Sequence, residues 1–167
     1  MEKLFNSNIR RLKEASSKGN LVLFIGAGVS INSGVPSWSD LINSISQELP
    51  ENLVKKEYDK LKIAQLYKNY RGHREYIKKI RQEISTNKYT FNPIHDLAFD
   101  LNPCHVVTTN YDDLIEKIVT HRNLQFFTIK KDIDIPYAAY NRFVVKMHGD
   151  LSEGNIVLTE DDYLRLS

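Results

Sequence analysis

The sequence has one cysteine, Cys104, which excludes an internal disulfide and any zinc site built from several cysteines, and fits a reducing compartment. Its histidines, at 73, 95, 105, 121 and 148, are scattered rather than paired at metal-ligand spacing. No metal is expected. An excess of charge is missing too: 23 Lys and Arg face 21 Asp and Glu, a net +2, so no strong field marks a nucleic-acid or membrane partner, and neither is expected. No apolar run is long enough to span a bilayer, and Met1-Glu2-Lys3 does not open a signal peptide. The chain is therefore read as cytoplasmic. No lysine lies in residues 21–50, which removes a phosphate loop of the Gly-Lys-Ser/Thr type.

What is present is enough for one domain with a real core: 167 residues, 41% hydrophobic and 26% charged. Residues 21–30 read L-V-L-F-I-G-A-G-V-S. Five apolar residues bounded by glycines are too short for a helix and suit a strand buried on both faces, as in a parallel sheet. Gly26 and Gly28 then remove side chains where the backbone leaves the strand, so N–H groups can approach a ligand's phosphates. A standard dinucleotide fingerprint would place a third glycine at Ile31 and a clear acidic residue about twenty positions on. Neither is found, so a dinucleotide site and a glycine turn that binds nothing both remain open here.

Periodicity places the other elements. Residues 3–18 read as a helix whose Leu4, Phe5, Ile9 and Leu12 cover the sheet, with Gly19 as its stop. Ser37 caps a helix carrying Asp40 in its first turn and Trp38, Leu41, Ile42, Ile45 and Leu49 at helical spacing, with Trp38 in the core. Across residues 51–85 two helices carry a stripe of Val54, Tyr58, Leu61, Tyr67 and Tyr70, broken at Arg71-Gly72. Acidic residues interrupt each basic cluster there, the pattern of a solvated helix face. Asn92-Pro93 starts a short helix with Ile94, Leu97 and Ala98 inward and His95 structural.

Two further strands end in polar residues. The β-branched run 105–109 leads to Asn110 and Asp112 and then to a helix with Leu114, Ile115 and Ile118. Asn110 and Asp112 would lie at the same sheet edge as Gly26 and Gly28, where open α/β folds bind ligands, or serve only as helix caps. After a strand at 125–129, the run 142–147 ends in His148-Gly149-Asp150. That histidine is either a general base or a turn residue. Thr159 caps a last helix opened by Glu160, Asp161 and Asp162.

Three strands ending in G-A-G-V-S, T-T-N-Y-D and K-M-H-G-D, in that order, resemble the sirtuin-like family of NAD-consuming domains, closest to its bacterial defence-associated branch. G-V-P-S-W-S-D-L at 34–41 and I-V-L-T-E-D-D-Y at 156–163 extend the resemblance. It implies an α/β fold, a Rossmann-like parallel sheet flanked by helices, with residues 1–167 forming a single NAD-binding domain incomplete at its C-terminal end and part of a longer protein. It implies that Gly26, Ala27, Gly28 and Ser30 hold NAD+, that Asn110 orients ribose hydroxyls or water, that Asp112 meets the nicotinamide amide, and that His148 is the base. The protein-deacylating branch carries a four-cysteine zinc module, an Asp-Phe-Arg after the proline and a glutamine before the asparagine. Here there is one cysteine, Ser37-Trp38-Ser39 and Thr109, so zinc is not implied and deacylation is disfavoured.

The reading is an NAD+ glycohydrolase that yields nicotinamide and ADP-ribose, with a role in bacterial antiphage defence through NAD+ depletion. NAD+ is its substrate, with a further C-terminal domain or partner protein and a homo-oligomer as possible company. The competing readings are a non-catalytic NAD or ADP-ribose sensor and an NAD-dependent protein deacylase.

Overall fold

The computed structural model describes residues 2–54, 59–84 and 86–165. Its centre is a sheet of four parallel strands in the order β1-β2-β4-β3. The strands are β1 (Val22–Ile25), β2 (His105–Thr108), β3 (Phe127–Ile129) and β4 (Phe143–Lys146). Around them run α1 (Glu2–Ser17), α2 (Gly28–Ile31), α3 (Trp38–Ser46), α4 (Glu51–Val54), α5 (Lys60–Arg71), α6 (His73–Glu83), α7 (Pro93–Asp100), α8 (Leu114–His121) and α9 (Glu160–Leu164). The α/β class and the parallel sheet are those expected from the sequence.

Register sets the two faces of the sheet. Ile25 is level with Thr108, and Thr108 with Lys146; one step of the pleat earlier, Val106 is level with Val144. These alternate residues share a buried face, packed with Ile115, Ile118 and Val119 of α8 and Phe99 of α7. A second core joins Leu41, Ile42 and Ile45 of α3 with Ile63, Ala64 and Tyr67 of α5 and Tyr76, Ile77 and Ile80 of α6. That core reaches the strand ends through Leu114, Leu151, Ile156 and Leu158.

Several sequence expectations change. β1 is an edge strand rather than one buried on both faces, and Val22 and Phe24 on its other face are exposed. α1 does not cover the sheet: Leu4 and Phe5 are 68% and 64% exposed, and Ser16 Oγ ties its last turn to Leu101 O. α7 is rotated from the expected face. His95 and Phe99 point inward while Ile94 and Leu97 are exposed, because His95 closes a capping box by accepting Asn92 N–H at Nδ1. The stripe over 51–85 holds at Tyr67, which is buried, but Tyr70 is exposed; Tyr58 lies outside the described residues. Among the described residues no helix is long and apolar enough to cross a membrane.

Candidate functional site

The carboxyl ends of β1, β2 and β4 deliver their loops to one place, because parallel strands in register end at the same edge. After β1 the chain turns at Gly26 and Ala27 into α2, a single turn with no side-chain cap. Neither Gly26 nor Gly28 has a left-handed backbone, and a Cβ added at either would meet nothing within 4 Å. The fold itself does not require glycine there. What the missing side chains leave is open space beside backbone N–H groups.

The β2 loop is pinned to that turn by hydrogen bonds. Thr108 Oγ1, fully buried, donates to Ile25 O at 2.8 Å and accepts Asn110 N–H at 3.0 Å. The Asn110 amide nitrogen donates to Ser30 Oγ at 3.0 Å and lies 3.4 Å from Gly26 O. Both amide hydrogens are thus directed at the glycine turn, whereas Asn110 Oδ1 is buried with no protein partner. The unmet group of Asn110 is therefore an acceptor rather than a donor. Ser30 is 1% exposed, and its hydroxyl is the acceptor that holds the Asn110 amide. Asn92 braces the turn from beneath, donating from Nδ2 to Val29 O and Ser33 Oγ, each at 2.8 Å.

Asp112 both bonds to the start of α8 and borders the cavity. Its Oδ1 accepts Leu114 N–H at 3.1 Å, as a cap would, and it also lines a cavity of about 380 Å³ together with Asn110, His148, Ala27 and Ser30. His148 is half-buried, and burial lowers its pKa from the ordinary 6.5. Its ring meets the Tyr163 ring edge-on at 5.3 Å, with Nδ1 at 3.5 Å from the phenol oxygen. Tyr163 is held on α9 by the Thr159 and Asp162 capping box. Its hydroxyl stays protonated, since burial raises its pKa.

Most of the rest of the cavity wall is apolar, Val35, Pro36, Trp38, Leu41, Leu61 and Ile84, with Thr109, Tyr111 and Tyr163 beside them. Trp38 is a correction, since it is 38% exposed and lines the cavity instead of filling the core. A hydrophobic residue at the start of a capped helix carried no sign of which way it would face. Tyr163, Thr108 and Asn92 were also missed as site residues. Tyr163 stood within a quoted stretch, but only the fold brings it to His148. A larger and more open groove, about 820 Å³, runs along α6, with none of the candidate residues in its wall. Among the described residues no three His, Cys, Asp or Glu side chains gather where they could hold a metal ion.

An open parallel sheet with Ala27 and Ser30 of the turn after β1, an amide, a carboxylate and an imidazole around one cavity defines an α/β domain with a candidate ligand site at its carboxyl edge. Comparison with known proteins narrows the class. A SIR2-like domain matches residues 104–167. The chain is 38% identical over 163 residues to defense-associated sirtuin 2 of Bacillus subtilis, covering 93% of this chain and 16% of that protein. It is 34% identical over 159 residues to NAD(+) hydrolase ThsA of Enterococcus faecium, covering 93% and 33%. It is 35% identical over 154 residues to NAD(+) hydrolase ThsA of Bacillus cereus (strain MSX-D12), covering 89% and 32%. The chain is similar to the sirtuin-like family, and within it to bacterial defence-associated members, and it spans a third or less of the length of these relatives.

Proposed function

We propose that this domain hydrolyses NAD+ to nicotinamide and ADP-ribose, and that it serves bacterial antiphage defence by depleting NAD+. The observation that carries the reading is the free, buried Oδ1 of Asn110 beside Asp112 and His148 on one cavity wall, next to the side-chain-free turn at Gly26 and Gly28. The names of the relatives, two of them NAD(+) hydrolases and one a defence-associated sirtuin, support the same reading.

The chemistry fits that set of groups. The bond between ribose C1′ and the pyridinium nitrogen breaks with its electron pair going to nitrogen, so nicotinamide leaves neutral and no general acid is needed. An oxocarbenium-like centre remains at C1′. Water adds its oxygen there and gives up a proton to neutral His148, from which it passes to solvent. Asn110 Oδ1 accepts a hydrogen bond from a ribose hydroxyl or from that water. Asp112 accepts from the nicotinamide amide, and its charge favours the developing cation. Gly26, Ala27 and Gly28 let the pyrophosphate approach backbone N–H groups, with Ser30 holding Asn110 in place.

The tautomer of His148 matters. When Nδ1–H donates to the Tyr163 oxygen, the lone pair lies on Nε2, free to accept the proton from water. The relatives' greater lengths support a further domain acting with this one.

The test is to incubate the protein with NAD+ alone and with NAD+ plus an acylated peptide, and to separate the products. Nicotinamide and ADP-ribose in equal amounts without peptide are expected. Turnover only with peptide would make it a deacylase, and tight NAD+ binding with no products would make it a sensor.

A further inference from the structure

Two residues before His148, at the end of β4, Lys146 carries a deeply buried charge: its side chain is 0% exposed. A lysine there is costly unless each ammonium hydrogen has an acceptor. It has three. Nζ lies 2.6 Å from Asp112 O, 3.3 Å from Tyr111 O and 2.5 Å from Asp150 Oδ2. Glu116 Oε1 adds a charge contact at 3.2 Å. Two of these acceptors are backbone carbonyls in the loop that carries Asn110 and Asp112. The third belongs to the loop that carries His148. One ammonium therefore ties together the two loops that would have to act on one ligand.

We infer that Lys146 is a positioning residue, whose ammonium fixes the Asn110–Asp112 loop relative to the His148–Asp150 loop and so sets the distance between the group that orients the nucleophile and the base that deprotonates it. The inference rests on the hydrolase reading above. The bland alternative is that Lys146 only neutralises Asp150 and Glu116. Two features speak against it. A residue serving only as counter-charge has no need of the Tyr111 and Asp112 carbonyls, yet the contact to Asp112 O is among its shortest. Asp150 is also served from outside by Lys130, at 3.1 Å from Oδ1, and by the backbone N–H and hydroxyl of Ser152. Burial works against the Lys146 charge, but Glu116 and Asp150 outweigh it and keep the ammonium protonated.

The discriminating variant removes every charge of the cluster together: Lys146→Met with Asp150→Asn and Glu116→Gln, so that no buried ion is left unpaired. If the lysine positions the loops, the triple variant melts near the wild-type temperature while kcat for nicotinamide release stays about 100-fold down and KM for NAD+ changes little, the signature of a small misplacement. Amide hydrogen exchange over residues 109–113 should be faster in the triple variant than in wild type. Lys130→Ala, which loses the outer contacts to Asp150 and Ser152 but none to the Asn110–Asp112 loop, should keep normal turnover. Recovery of turnover together with stability in the triple variant would overturn the inference, and so would a triple variant that fails to fold, since the lysine would then be a requirement of the fold. A wild-type protein that releases no nicotinamide would defeat the hydrolase reading instead, while the exchange measurement would still decide whether Lys146 orders the loop.

Discussion

Asn110 enters the cavity with its amide hydrogens directed at Ser30 Oγ and Gly26 O and only its oxygen free. The identity of Ser30 should therefore register in rate rather than in affinity. Ser30→Ala is expected to cost about 1 kcal/mol of stability through the lost buried hydrogen bond. It is expected to lower kcat about tenfold with NAD+ binding preserved, as the amide gains freedom to rotate. Steady-state kinetics and calorimetric NAD+ titration check both parts. His148 gives a pH signature. Burial lowers its pKa below 6.5, and a base acts in its neutral form, so the rate should rise with pH along an acid limb whose midpoint lies below that value. Tyr163→Ala uncovers the ring and should move the midpoint upward, toward 6.5. A pH–rate profile that does not move would separate Tyr163 from the base.

At the scale of elements, glycines that look alike in the sequence have different reasons to be there. Gly149 has φ of +81°, and a Cβ on it would lie 1.9 Å from Asn155 O. Gly149→Ala should lose the turn after β4 and most of the folded protein, visible as loss of a cooperative melt. Gly28, with open space where a Cβ would go, begins α2. Gly28→Ala is expected to leave stability unchanged or raise it by up to about 1 kcal/mol, while weakening NAD+ binding. The strand ends and the caps at Ser37, Asn92 and Thr159 were legible in the sequence, because each is a local rule: apolar run, stop, polar side chain reaching its own backbone. The facing of helices was not. Ile94 and Leu97 have the right spacing for a core, but His95 turns inward and bonds to Asn92 N–H, and apolar spacing does not single out a histidine for that place. Lys146 was hidden because the carbonyls that accept from it lie 34 and 35 residues away, so a charge at the end of an apolar strand gave no sign that it was buried.

For the molecule as a whole, the uneven covering of the sheet predicts an uneven response to mutation. Phe24→Ser, on the exposed face of β1, should shift stability by no more than about 0.5 kcal/mol. Ile118→Ala, fully buried against the other face, should cost about 2–5 kcal/mol. Chemical denaturation compares them directly. Acid should act in two stages. His95 and His148 both hold pKa values lowered by burial. As the pH drops below 6.5 the unfolded chain binds protons that the folded chain refuses, and stability falls. Asp150 and Asp162 have lowered pKa values, resisting burial through Lys146 and Lys68 respectively. Their contribution is present above about pH 4 and is lost as the pH falls through their folded values. Denaturation midpoints across pH should show both stages, with the first one smaller in His95→Leu.

The central claim is that Asn110 and His148 act on one nucleophile at the carboxyl edge of the sheet. Its most direct test is nicotinamide release with NAD+ as sole substrate, measured for the wild type, Asn110→Ala, His148→Ala and the double variant, alongside thermal melting and NAD+ binding. The account predicts folded single variants that bind NAD+ yet turn over about 100- to 10,000-fold more slowly, and a double variant that loses much less than the product of the two. Stable single variants that bind NAD+ and release nicotinamide at near wild-type rates would contradict it.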